Sequence, residues 1–143
     1  MKAVVDSSVV VKWFVNEEDA EASLDLRFLP LAAPDLLLVE CANVFWKKVR
    51  KDEYAADDAA MAIRAIERAR ISLSPAHGLA GRAFEIGRAL DHAVYDCFYL
   101  ALAERLGLPL ITADTKLKTK ATTDRTSIQV LSLSNWKTAL NAD

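Results

Sequence analysis

Short β-branched runs alternate along this chain with longer stretches whose apolar positions recur every three or four residues. That alternation predicts strands separated by helices, and hence an α/β domain built on a parallel sheet. The first strand is Ala3–Val5, ending at Asp6, with Ser7 or Ser8 suited to cap a helix over Val9–Phe14. A second helix, Glu17–Phe28, leads to a strand at Leu31–Ala33. Pro34 fits the first turn of a long helix that reaches Lys51. Tyr54–Arg70 reads as another helix and Ile71–Leu73 as a strand. Helices follow over His77–Leu90 and Ala93–Leu106, with Asp91 as a cap between them and Gly107 as a stop. Leu108–Thr112 is the next strand, a short helix starts at Asp114 or Thr115, and Ile128–Leu133 is the last strand.

Four acidic residues interrupt this pattern. Asp6 and Asp114 close apolar strands, whereas Glu40 and Asp96 lie on apolar helix faces. The helical neighbours of Glu40 are Leu36, Leu37 and Val44; those of Asp96 are Ala93, Leu100 and Ala103. A buried carboxylate costs several kcal/mol unless a positive partner meets it, and no Lys or Arg adjoins any of the four in sequence. In open parallel sheets ligands sit beyond the carboxyl ends of the strands, which puts Asp6 and Asp114 at one mouth. If the two helical acids turn toward that mouth, a hard dication such as Mg²⁺ or Mn²⁺ relieves their mutual repulsion. Ser8 and Thr112, on the same strand ends, are placed to orient those carboxylates.

Composition narrows the picture. The 143 residues suit a single domain, 52% apolar and 27% charged, with a net charge of −2. No apolar run approaches the ~20 residues of a membrane span, and MKAVVD is too short for a secretory signal, so a cytoplasmic protein without membrane association is expected. Cys41 and Cys97 form no metal-binding motif and read as buried thiols. His92, beside Asp91, reads as structural. Lys47, Lys48, Arg50 and Lys51 form one basic cluster, and Lys116, Lys118, Lys120 and Arg125 another. A basic rim of this kind suits phosphate contacts even on an acidic chain.

The stretches Val4–Ser8, Pro34–Leu36 with Glu40–Asn43, Tyr95–Cys97 and Leu110–Asp114 together resemble the PIN domain, more narrowly the VapC toxins of toxin–antitoxin pairs. The resemblance runs over essentially the whole chain, 1–143, as one PIN domain. It implies a three-layer α/β/α sandwich with a parallel five-stranded sheet and Mg²⁺- or Mn²⁺-dependent endoribonuclease activity, directed in bacterial members at tRNA or rRNA. It also implies a homodimer restrained by a VapB-like antitoxin. Carried onto this chain, Asp6, Glu40, Asp96 and Asp114 become the catalytic, metal-binding quartet, supported by the hydroxyls of Ser8 and Thr112. Trp13 and Phe14 become candidates for the antitoxin groove, and Lys47, Lys48, Lys116 and Lys118 for RNA contact. Some members carry a further acid shortly after the fourth, where this chain has Lys116 and Lys118. Two other classes compete: a non-catalytic RNA- or partner-binding module, and a metal-dependent phosphohydrolase. A dehalogenase-like phosphatase wants an aspartate two residues after its nucleophile, and that position is Ser8.

Overall fold

The computed structural model of the chain describes residues 1–123 and 126–141. Its frame is a parallel five-stranded sheet with helices on both sides. The strands are β1 (Ala3–Val5), β2 (Leu31–Pro34), β3 (Ile71–Ser74), β4 (Leu110–Ile111) and β5 (Val130–Leu131). The helices are α1 (Ser7–Val10), α2 (Ala20–Leu24), α3 (Leu36–Arg50), α4 (Ala56–Glu67), α5 (Ala80–Leu90), α6 (Val94–Leu106), α7 (Thr115–Thr123) and α8 (Trp136–Leu140).

Strand order is β3-β2-β1-β4-β5. The chain therefore builds outward from β1 in one direction, then returns to lay β4 against its other side. Val4 pairs with Ala32 on one flank and with Leu110 on the other. The order reverses at the β1–β4 crevice, where sheets of this type bind ligands. Asp6 and Thr112 are the residues that leave β1 and β4 at that crevice. β1 is fully buried, as expected of a central parallel strand covered on both faces. Helix α6 packs across β1, β2 and β4, and Cys97 and Tyr99–Ala103 are all buried. A helix apolar nearly all round belongs in such a central place.

Several elements are shorter than the sequence predicts. The Glu17–Phe28 helix is reduced to α2 and a 3₁₀ turn, Asp25–Phe28, and Asp19 stands in the left-handed region at φ 65°. Pro34 ends β2 instead of opening α3, a strand end being a place where its missing N–H costs little. Strands β4 and β5 are two residues each, and α8 was not foreseen. Arg125 of the second basic cluster lies outside the described residues.

Trp13 corrects a sequence expectation. Instead of facing a partner it is a core residue, 8% exposed, in the 3₁₀ turn Val11–Trp13 that continues α1. Its indole N–H donates to the Ser23 carbonyl at 2.9 Å, so α2 closes over the ring. Phe14 is half-buried, edge-on to Phe45 at 6.3 Å, and lines a shallow apolar cleft with Tyr54 and Met61. Trp13→Ala is expected to cost about 3–5 kcal/mol of stability, read as a lower denaturation midpoint; an unchanged midpoint contradicts the core assignment.

Candidate metal centre

Acids from four parts of the chain lie around the carboxyl ends of β1 and β4: Asp96 and Asp114 share one close group of donor atoms, while Asp6 and Glu40 stand outside that group and feel the Asp96 charge. Asp6 arrives at the end of β1 and is 4% exposed. It stands at the start of α1 without a side-chain capping bond, and its backbone carbonyl accepts from the Val9 and Val10 N–H groups. The carboxylate is left for two hydroxyls. Ser8 Oγ donates to Oδ1 and Thr112 Oγ1 to Oδ2, each at 2.5 Å. These are lengths of hydroxyl bonds to an ionised acceptor.

The same hydroxyls also tie down the chain after β4. Ser8 Oγ accepts the Ala113 N–H and Thr112 Oγ1 accepts the Asp114 N–H, both at 3.0 Å. Asp114 then caps α7 through Leu117 N–H, 3.1 Å from Oδ1. One hydrogen-bonded unit thus fixes Asp6 and Asp114 together.

Glu40 and Asp96 come from α3 and α6. Glu40 is half-buried and accepts a hydrogen bond from the Tyr99 hydroxyl of α6. Tyr99 is itself fully buried, and burial together with the Glu40 charge pushes its phenol pKa far up. It therefore remains a donor. Asp96 lies in the first turn of α6, with its Oδ2 2.6 Å from His92 Nε2. Donor atoms of His92, Asp96 and Asp114 all lie within 4.8 Å of one another.

Electrostatics show how close the charges are. Burial, then the Asp96 charge, raises Asp6 from an ordinary 3.8 to about 6, against the lowering effect of its two hydroxyl donors. Burial and Asp96 also raise Glu40. Among the described residues no Lys or Arg forms an ion pair with any of the four acids; the one such contact is His92 with Asp96. Oxygen-rich and short of positive charge, this donor set fits a hard divalent cation. Cys41 and Cys97 are buried free thiols pushed up to about 12 and about 11, mainly by burial, so neither is a ready thiolate ligand.

Beside the acids opens a cleft of about 410 Å³, lined by Ser7, Ser8, Lys12, Glu17, Lys48 and Ala113 among others. Lys48 reaches Glu17 at 3.5 Å, and Lys12 Nζ donates to the Glu18 carbonyl at 2.8 Å. Lys47 is exposed on the same helix as Lys48; Lys116 is exposed and Lys118 half-buried on α7. Sequence reasoning missed three residues here. His92 was read as structural, yet it stands in the turn just before α6 and its ring reaches Asp96 in the first turn of that helix. Tyr99, three after Asp96, was hidden in an apolar helix. Lys12 sits alone in an apolar segment and gave no cluster signal.

The fold is thus a parallel α/β domain with a carboxylate-rich candidate metal site at the point where strand order reverses. The PIN domain family model matches residues 3–122. The chain is 32% identical over 114 residues to ribonuclease VapC9 of Mycobacterium tuberculosis, covering 80% of this chain and 87% of that one. PAE2754 from Pyrobaculum aerophilum has a similar structure, with a TM-score of 0.74 at 20% identity over 100% of this chain and 91% of that one. A toxin–antitoxin complex from Klebsiella pneumoniae contains a chain matching at TM-score 0.57 and 19% identity, covering 80% of this chain and 88% of that one. This protein belongs to the PIN domain family.

The raised Asp6 value has a measurable consequence in chelator. Its folded value near 6 exceeds the ordinary 3.8, so the folded state holds the proton more tightly across that interval. Stability is greatest below about pH 4 for this group and falls as pH rises through 6. Between pH 5 and 7 the loss from Asp6 is about 1 kcal/mol. Glu104 is shifted the other way, lowered by Arg82, so its effect belongs to more acidic solution. Urea denaturation in EDTA should show wild type losing stability from pH 5 to 7, and Asp6→Asn should flatten that fall. A variant profile parallel to wild type contradicts the burial argument.

Proposed function

We propose that this chain, as a single domain over 1–143, is a metal-dependent endoribonuclease serving as the toxin of a toxin–antitoxin pair. The observation that supports the reading is the close pairing of Asp96 with Asp114, the hydrogen-bonded link from Asp114 to buried Asp6, and the Asp96 charge felt by Asp6 and Glu40, with no ion pair from a lysine or arginine to any of the four among the described residues. Family membership and the similarity to ribonuclease VapC9 support the choice of RNA hydrolysis over other phosphoryl chemistry. The position two after Asp6, where a dehalogenase-like acid would be, is a serine committed to holding Asp6.

The four carboxylates would hold Mg²⁺ or Mn²⁺. When bound, such an ion would lower the pKa of a coordinated water and would offset charge on the leaving oxygen of a phosphodiester. The protein's own contribution is placement. Ser8 and Thr112 fix both oxygens of Asp6, and Tyr99 fixes Glu40, so the acids are oriented before any ion arrives. Lys12 and Lys48 line the adjoining cleft, where ammonium groups suit RNA phosphates, and Lys47, Lys116 and Lys118 extend that charge outward. Binding there requires Lys48 to exchange Glu17 for a phosphate.

The partners proposed with this reading are an RNA, in the tRNA or rRNA class, and a VapB-like antitoxin, with the chain as a homodimer. Val39 and Trp46, 66% and 55% exposed on α3, offer apolar surface to a protein partner. Phe14, in its cleft with Tyr54 and Met61, offers another such patch. No helix among the described residues is long and apolar enough to cross a membrane; action on cellular RNA fits a cytoplasmic site.

The test is cleavage of total RNA by purified protein with Mn²⁺, with Mg²⁺ and with chelator. Wild type should cut only with a divalent ion, and Asp96→Asn should lose on the order of 100-fold or more in rate while remaining folded. Equal cutting by Asp96→Asn, or none by wild type in either ion, contradicts the proposal and favours a non-catalytic binding module.

A further inference from the structure

His92 is nearly enclosed, its side chain 7% exposed, and its Nε2 is directed at Asp96. Nothing in the proposed chemistry so far uses it. The turn that carries it is firmly set. His92 N–H donates to the Gly87 carbonyl at 3.1 Å, and Asp91 takes the left-handed conformation at φ 52°. Helix α5 comes so close at Gly87 that a β-carbon there would lie 3.1 Å from the His92 carbonyl oxygen. From the other side, the Lys120 ammonium donates to the Asp91 carbonyl. Lys120 belongs to α7, the helix capped by Asp114. The turn and α7 are therefore linked, on the side where the imidazole meets Asp96 and Asp114.

This places one nitrogen donor beside two carboxylates, with donor atoms within 4.8 Å of one another. We propose that His92 is a nitrogen ligand for a divalent ion held with Asp96 and Asp114: the ion takes the place of the proton in the Nε2–Asp96 hydrogen bond, that proton leaves to solvent, and the Nε2 lone pair biases the site toward Mn²⁺ over Mg²⁺. The inference rests on the metal-site reading above. Its chemistry is that of donor preference. Mg²⁺ takes oxygen ligands and gives up water reluctantly, whereas Mn²⁺ accepts imidazole alongside carboxylate. Lys116 and Lys118, the residues that follow Asp114 on α7, supply no donor at this end; the imidazole does.

The experiment combines Mn²⁺ and Mg²⁺ titration calorimetry with pulsed EPR of bound Mn²⁺, on wild type, His92→Gln and Asp6→Asn. Glutamine can still donate a hydrogen bond to Asp96 but has no imidazole nitrogen. Wild-type Mn²⁺ should show nitrogen modulation that His92→Gln lacks. His92→Gln should raise the Mn²⁺ Kd about tenfold while changing the Mg²⁺ Kd by less than about threefold. Bound Mn²⁺ without nitrogen modulation in wild type overturns the ligand assignment, whatever the variant does. An equal rise in both Kd values also overturns it, because His92 would then only orient Asp96. Those two outcomes leave the metal-site reading standing, provided Asp6→Asn weakens both ions. If wild type binds neither ion at millimolar concentration, the metal-site reading falls together with the inference.

Discussion

Negative charge gathered in a poorly hydrated crevice, without a fixed positive group, is the constraint around which this molecule is arranged. Asp6 is almost wholly buried, and Asp96 adds repulsion to both Asp6 and Glu40. Two hydroxyl donors lower the energy of ionised Asp6 but do not overcome its burial. A fold that keeps such a cluster sacrifices stability for a function, because apolar replacements at these positions would pack at lower cost. The compensation has to come from outside the chain, and a dication is the species that matches acid oxygens at this density.

The scaffold explains how the acids are placed. Reversal of strand order at β1–β4 opens a crevice, and the Ser8–Asp6–Thr112 clamp closes its floor while fixing Asp114 through backbone N–H groups. Helix α6 does the rest. Packed over three strands, it presents Asp96 from its first turn and, one turn on, Tyr99 to Glu40 of α3. The site is thus carried on buried, mutually braced elements, which is the preorganisation that a metal centre needs.

The strand–helix alternation was readable in the sequence, and the four carboxylates stand out there because each breaks an apolar pattern that otherwise holds. Their supports were less visible. Tyr99 looks like any aromatic in an apolar helix; only the α3–α6 packing makes its hydroxyl a partner of Glu40. His92 follows a residue that ends a helix, so it reads as part of a turn, and the link through Lys120 is a long-range contact with no local signature. Trp13 was misjudged because a short helix with adjacent aromatics does not reveal which ring α2 will cover. Strand lengths were overestimated at β4 and β5, where apolar residues beyond the ladder still pack on the core, as Ile128 and Leu133 do.

The most direct measurement is a crystal of the protein soaked in Mn²⁺, with anomalous scattering used to locate the ion. The account predicts a peak in the β1–β4 crevice within bonding distance of carboxylate oxygens from Asp6, Asp96 or Asp114. No peak there at millimolar Mn²⁺, or a lysine or arginine side chain seated among those oxygens, would contradict it.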